Sequence, residues 1–149
     1  VNKAIPTDLK IAGIKANLPG YQVAWLVNQN FDMQLTMNED WVVGDGTPSR
    51  SEHQHFFQAF EDVELKWYLV QNRGSAGVIY QSKPLFDYFL ICSGEDIYGY
   101  FERAVKAIDN EKKIDGIFPL QFSMIKMQEN FFVNMNVKNN KRYLELLHV

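Results

Sequence analysis

The clearest pattern along the chain lies at residues 63–70, where Val63, Leu65, Trp67 and Leu69 alternate with Glu64, Lys66, Tyr68 and Val70. A period of two sends successive side chains to opposite faces of a strand. Residues 55–60 precede this run and reach it through Glu61-Asp62, so the two segments predict an antiparallel hairpin. Residues 9–14 alternate too, with Leu9, Ile11 and Gly13 on one face and Lys10, Ala12 and Ile14 on the other. Residues 85–92 are almost continuously apolar, which suits a central strand covered on both faces. Shorter strands are predicted at 33–36, 112–118 and 131–133.

Two segments read as helices. Tyr21-Gln22-Val23-Ala24-Trp25-Leu26-Val27-Asn28 is apolar nearly all round, which predicts a largely buried helix ending near Asn30. It is entered through Asn17-Leu18-Pro19-Gly20, with Asn17 as the expected cap. Ile97, Phe101, Ala104, Val105 and Ile108 recur at helical spacing as far as Asp109. Ahead of them, Ser93-Gly94-Glu95-Asp96 has the serine-to-acid spacing of a capping box. Pro119 is expected to open a short helix through Met127, and residues 143–147 to add a helical turn. Residues 44–52 carry the glycine, proline and serine signals of a long loop. Strands come partly in a row with helices between them. The expected fold is therefore α+β: a mostly antiparallel sheet of about five strands with two main helices packed on it. All of residues 1–149 are assigned to one domain, with a polar tail from about residue 134.

Composition narrows the function classes. The 149 residues suffice to bury roughly 70% of the unfolded surface without disulfides or a structural metal. With 15 basic and 18 acidic residues the chain lacks the basic excess by which nucleic-acid binders neutralise phosphates, so nucleic acid is not an expected partner. Phe56, Phe57, Phe60, Trp67 and Tyr68 suggest a base-stacking platform, but no arginines interleave them. They read better as core, with Tyr68 alone half exposed. The single cysteine, Cys92, lies in an apolar run and reads as a buried thiol. No run approaches the ~20 apolar residues of a membrane span, and Val1-Asn2-Lys3-Ala4-Ile5-Pro6 is no apolar leader. The expected location is the cytoplasm.

Few residues offer chemistry. His53 and His55 stand two apart but lack further ligands at metal-site spacing, so they are expected to be surface or capping residues, with no metal and no cofactor. Gly44-x-Gly46 lacks the lysine and following helix of a phosphate loop. Asp87 stands out because it interrupts the apolar run, on the face of Leu85, Phe89 and Ile91. A carboxylate taken from water needs a cation or several donors, and Lys83, Arg73 or backbone amides are the candidates. The functional alternative for Asp87 is a general base or a ligand anchor.

Several segments together resemble the IPExxVDY family of small bacterial proteins. They are Ile11-Ala12-Gly13-Ile14, the helix from Tyr21 to Asn28, Trp67-Tyr68-Leu69-Val70-Gln71-Asn72, Phe86-Asp87-Tyr88-Phe89-Leu90 before Ser93-Gly94, and the run from Phe122 to Phe132. In place of the family's name motif this chain reads Gln81-Ser82-Lys83-Pro84-Leu85-Phe86-Asp87-Tyr88, keeping Asp87 and Tyr88 and replacing valine by Phe86. The resemblance implies no activity, but it marks Asp87 and Tyr88 as positions to test. The expected function is a non-enzymatic binding or protein-interaction module, with Asp87, Tyr88 and Tyr68 as binding positions. Exposed hairpin aromatics or an open sheet edge would form the contact, with homodimerisation as one use of such an edge. The alternative is a small hydrolase-like enzyme using Asp87 with Tyr88 and His55.

Overall fold

Alternation along the chain becomes a two-faced sheet in the computed structural model, which describes residues 9–43, 50–60, 65–82 and 85–121. In chain order the elements are β1 (Leu9–Lys15), α1 (Gly20–Phe31), β2 (Thr36–Met37), β3 (Trp41–Val43), β4 (Ser51–His53) and β5 (His55–Phe60). Then come β6 (Leu65–Gln71), β7 (Arg73–Gly74), β8 (Gly77–Val78), β9 (Tyr88–Gly94), α2 (Tyr100–Asp109) and β10 (Gly116–Leu120). Six strands form the main sheet in the order β10-β1-β9-β6-β5-β2, with every pair antiparallel. Two small ladders, β3–β4 and β7–β8, stand beside it. The α+β expectation holds, and the predicted hairpin is the β5–β6 pair.

The sheet separates two cores. Ala12, Ile14, Trp67, Leu69, Leu90 and Cys92 face the helices and pack with Val23, Val27, Phe101 and Ile108. Ile11, Tyr68, Val70, Phe89 and Ile91 face the other way, where Trp41 and Val43 of β3 cover them together with Ile79 and Phe86. Strand β9 lies between β1 and β6 and is buried on both faces from Tyr88 to Cys92, as its unbroken apolar run requires.

Several local expectations shift. Helix α1 has Pro19 at its N-cap position with no side-chain cap, and it is the Pro19 carbonyl that accepts from the Gln22 and Val23 amides. Its far end turns at Asp32 with a left-handed φ of 51°. Among the described residues one side of this apolar helix is covered: Val23, Ala24, Leu26 and Val27 are buried, while Tyr21 and Trp25 are 67% and 56% exposed. The capping box at Ser93 does not form, because β9 runs on through Ser93 and Gly94, paired to Leu9 and Leu65. Asp96 does the capping, its carboxylate accepting from the amides of Tyr100 at 2.7 Å and Phe101 at 2.8 Å. Pro119 opens no helix. It sits in β10 opposite Ala12, at an outer position of the described sheet where its missing N–H is tolerated. Within the expected loop at 44–52, Ser51 and Glu52 belong to β4, and residues 44–49 lie outside the described residues. So do the expected strand at 131–133 and the polar tail.

Candidate functional site

Asp87 stands one residue ahead of β9, not inside it. Its N–H donates to the Ile14 carbonyl at 2.8 Å, and its own carbonyl accepts from the Asn72 amide at 2.9 Å. Its carboxylate Oδ2 accepts from the Ala16 N–H at 2.9 Å. The half-buried acid thus extends the β1–β9 ladder by one step and holds the chain where it leaves β1 for α1. Of the counter-charges expected for it, Arg73 is exposed and Lys83 lies outside the described residues.

Tyr88 points to the opposite face, among the helix-side core residues, and its hydroxyl donates to the Leu18 carbonyl. Burial, with the neighbouring Asp87 charge adding to it, pushes the phenol up to about 12. It stays protonated at neutral pH and serves as a donor. Asp87 and Tyr88 therefore fasten the same connection from two sides, one at Ala16 and the other at Leu18. That is what their adjacency achieves: consecutive residues of a strand straddle the sheet, and the β1–α1 connection passes over its end.

Tyr68 is not half exposed, as its hairpin position suggested, but 1% exposed. Its ring meets Trp41 edge-on at 5.5 Å and Phe57 at 5.2 Å. The cover comes from β3, a strand hidden in the polar run before the loop. His53 and His55 are likewise not surface residues; they are 1% and 5% exposed. His53 Nδ1 lies 3.0 Å from the Gln71 carbonyl, and the ring of His55 stands edge-on to Trp41 at 5.2 Å. Burial lowers both imidazoles below their usual range, against the opposing pull of backbone carbonyls and of Asp40.

The catalytic grouping of Asp87, Tyr88 and His55 is not brought together. Tyr88 belongs to the helix side of the sheet, and His55 packs with Trp41 and Tyr68 on the other. Among the described residues no three histidines, cysteines or acids gather as a metal site. Cys92 is buried, and burial followed by the Asp96 charge pushes its thiol up to about 12, with Lys10 opposing. Such a thiol is a poor nucleophile at neutral pH.

Two features went unread in the sequence. Asn72, fully buried, donates from Nδ2 to the carbonyls of Tyr80 and Phe86 and accepts the Tyr80 N–H at Oδ1. An asparagine at a strand end reads as an ordinary turn, and no local signal distinguishes this one. The exposed Tyr21–Trp25 pair did leave a trace, since two aromatics four apart share a helix face. No protein-family model matches the chain, and no curated protein matches it. Among the described residues no helix is long and apolar enough to cross a membrane.

Proposed function

We propose that this chain is a non-enzymatic interaction module of the cytoplasm whose contact surface is the outer face of α1. One observation carries the proposal: Tyr21 and Trp25, one turn apart, leave 67% and 56% of their surface in solvent. A helix that is apolar nearly all round is ordinarily enclosed on all sides, and here the described residues enclose one side. Tyrosine and tryptophan are also among the side chains that contribute most energy at protein interfaces. The partner proposed is a second copy of this chain. A twofold axis needs only one self-complementary face, and crossing two α1 helices antiparallel sets each Trp25 against the other copy's Tyr21. A net charge of −3 leaves little repulsion to oppose the pairing.

On this proposal the Asp87-Tyr88 pair, shared with the IPExxVDY family, fastens the fold and has no chemistry of its own. The bacterial origin implied by that resemblance belongs to the same proposal. Sedimentation equilibrium tests it over roughly 1 µM to 1 mM, the window of about 8 to 4 kcal/mol of association free energy. The full chain is expected to self-associate in that window, and the Tyr21→Ser/Trp25→Ser variant to remain monomeric. A wild-type monomer throughout, or a variant that associates equally well, would overturn it.

A further inference from the structure

Strands β2 to β5 form one long bent hairpin. Its lower part, β2 with β5, belongs to the main sheet, with Thr36 opposite Phe57 and Met37 opposite Phe56. The Asn38 N–H donates to the His55 carbonyl at 3.0 Å and continues that register. The upper part, β3 with β4, resumes with Trp41 opposite His53. Between these pairings the first arm has Glu39 and Asp40 where the second has Gln54 alone. The extra residue makes a bulge, which bends and twists the ribbon. The bend lays Trp41 and Val43 over the second core.

Both histidines sit at this corner. His55 Nδ1 bonds the carbonyl of Glu39, inside the bulge itself. His53 joins three elements: it lies in β4, its Nδ1 bonds the carbonyl of Gln71 at the end of β6, and its ring fills the space over Gly74 of β7. A side chain at residue 74 would put its Cβ 2.4 Å from that ring. Because the partner of Nδ1 is a carbonyl, Nδ1 carries the proton of the neutral ring. Nε2 of His53 is then a bare nitrogen, buried and without a partner among the described residues. Protonation would put a charge and a second N–H on this buried ring, a cost that the nearby backbone carbonyls of Gln71, Arg73 and Asn72 offset only in part.

We propose that this corner is a proton-operated latch: protonation of His53 and His55 releases the β3–β4 hairpin from the main sheet and uncovers the apolar face beneath it. Among the described residues the groups around the two rings supply no buried counter-charge. Glu39 and Asp40 lead into β3, Glu52 lies on β4 and Arg73 on β7, and all four are exposed. From β6 the facing group is the Tyr68 phenol, while Lys66, half-buried, stands farther along the strand opposite Ala59. Asp40 draws both imidazoles slightly toward protonation, and burial outweighs it. The closed form binds fewer protons than the open form, whose histidines titrate near ~6.5. It is therefore at full strength above about pH 6.5 and weakens as the pH falls below that value. Two protons taken up on opening raise the opening constant by up to about a hundredfold between pH 7.5 and 5.5.

Amide hydrogen exchange on the full chain, read residue by residue by NMR and corrected for intrinsic rates, tests the latch. The amides of Trp41, Val43, Ser51 and His53 are expected to lose protection by up to about a hundredfold over that range, while Leu69 and Leu90 keep theirs. His53→Gln/His55→Gln is expected to abolish the dependence. If that variant fails to fold, the wild-type contrast between the hairpin and Leu69 and Leu90 still decides. Hairpin protection that is constant with pH, or that falls in step with Leu69 and Leu90, or a variant that keeps the dependence, would each overturn the proposal.

Discussion

The most demanding prediction concerns Asn72→Asp, a change that keeps the side chain's shape and reverses its hydrogen-bonding sense. The Asn72 amide nitrogen holds two carbonyls, that of Tyr80 at 3.0 Å and that of Phe86 at 2.8 Å. Its oxygen holds the Tyr80 N–H at 2.9 Å. Aspartate keeps the last bond and turns an oxygen on both carbonyls. Stranding a buried acceptor costs about 1–3 kcal/mol, so the two together cost about 2–6 kcal/mol. Enclosure also raises the new carboxyl above its usual ~3.9, because the charged form is the one burial penalises. The folded-state value lies above the unfolded one, so the variant is most stable, relative to wild type, below about pH 4. It loses ground as the pH rises through the folded value. The protonated acid regains one donor, which returns about half of the loss. The expected deficit at pH 8 is therefore at least ~2 kcal/mol, a fall in Tm of roughly 5 °C or more for a domain of this size. At pH 4 it is about half as large. Urea denaturation of wild type, Asn72→Asp and Asn72→Ala at both pH values measures it, and the alanine deficit should not vary with pH. A deficit below ~1 kcal/mol at pH 8, or one equal at both pH values, would refute the account of Asn72 as the clip between residues 80 and 86.

Three further outcomes follow from the packing. Asp96→Ala removes the acceptor for the first amides of α2 and the Lys10 contact at 3.5 Å. It should cost about 1–2 kcal/mol in a CD-monitored melt, and an unchanged Tm would mean those amides are satisfied elsewhere. Gly13→Ala places a Cβ 2.5 Å from the Phe86 ring, so the urea midpoint should fall by the equivalent of about 1–3 kcal/mol; no shift would show that the ring moves aside freely. Cys92 should resist a disulfide-exchange reagent at pH 8 in the native protein and react at once in denaturant, and rapid native labelling would contradict its burial.

Strand and helix identity was largely legible because it rests on local spacing. The alternation around Trp67 and the unbroken run around Phe89 are properties of a few consecutive residues, and both became strands, the second shifted to start at Tyr88 and end at Gly94. The cap of α2 was misread for a reason outside its own segment. Leu9 and Leu65, distant in sequence, extend β9 through Ser93 and Gly94, so the available acid, Asp96, took the role. The candidate site fared likewise. Asp87 was visible as an anomaly, but its partner, the Ala16 N–H, lies 71 residues away.

What the chain's order of residues determined alone is that two apolar faces exist, along with their periods and the α+β class. It said nothing of what covers each face, because a period of two is blind to the identity of the neighbour. Only the folded arrangement decided that β3 buries Tyr68, that a one-residue bulge encloses His53 and His55, and that α1 turns Tyr21 and Trp25 outward. Burial is set by whatever packs from elsewhere in the chain, and that is a property of tertiary contact.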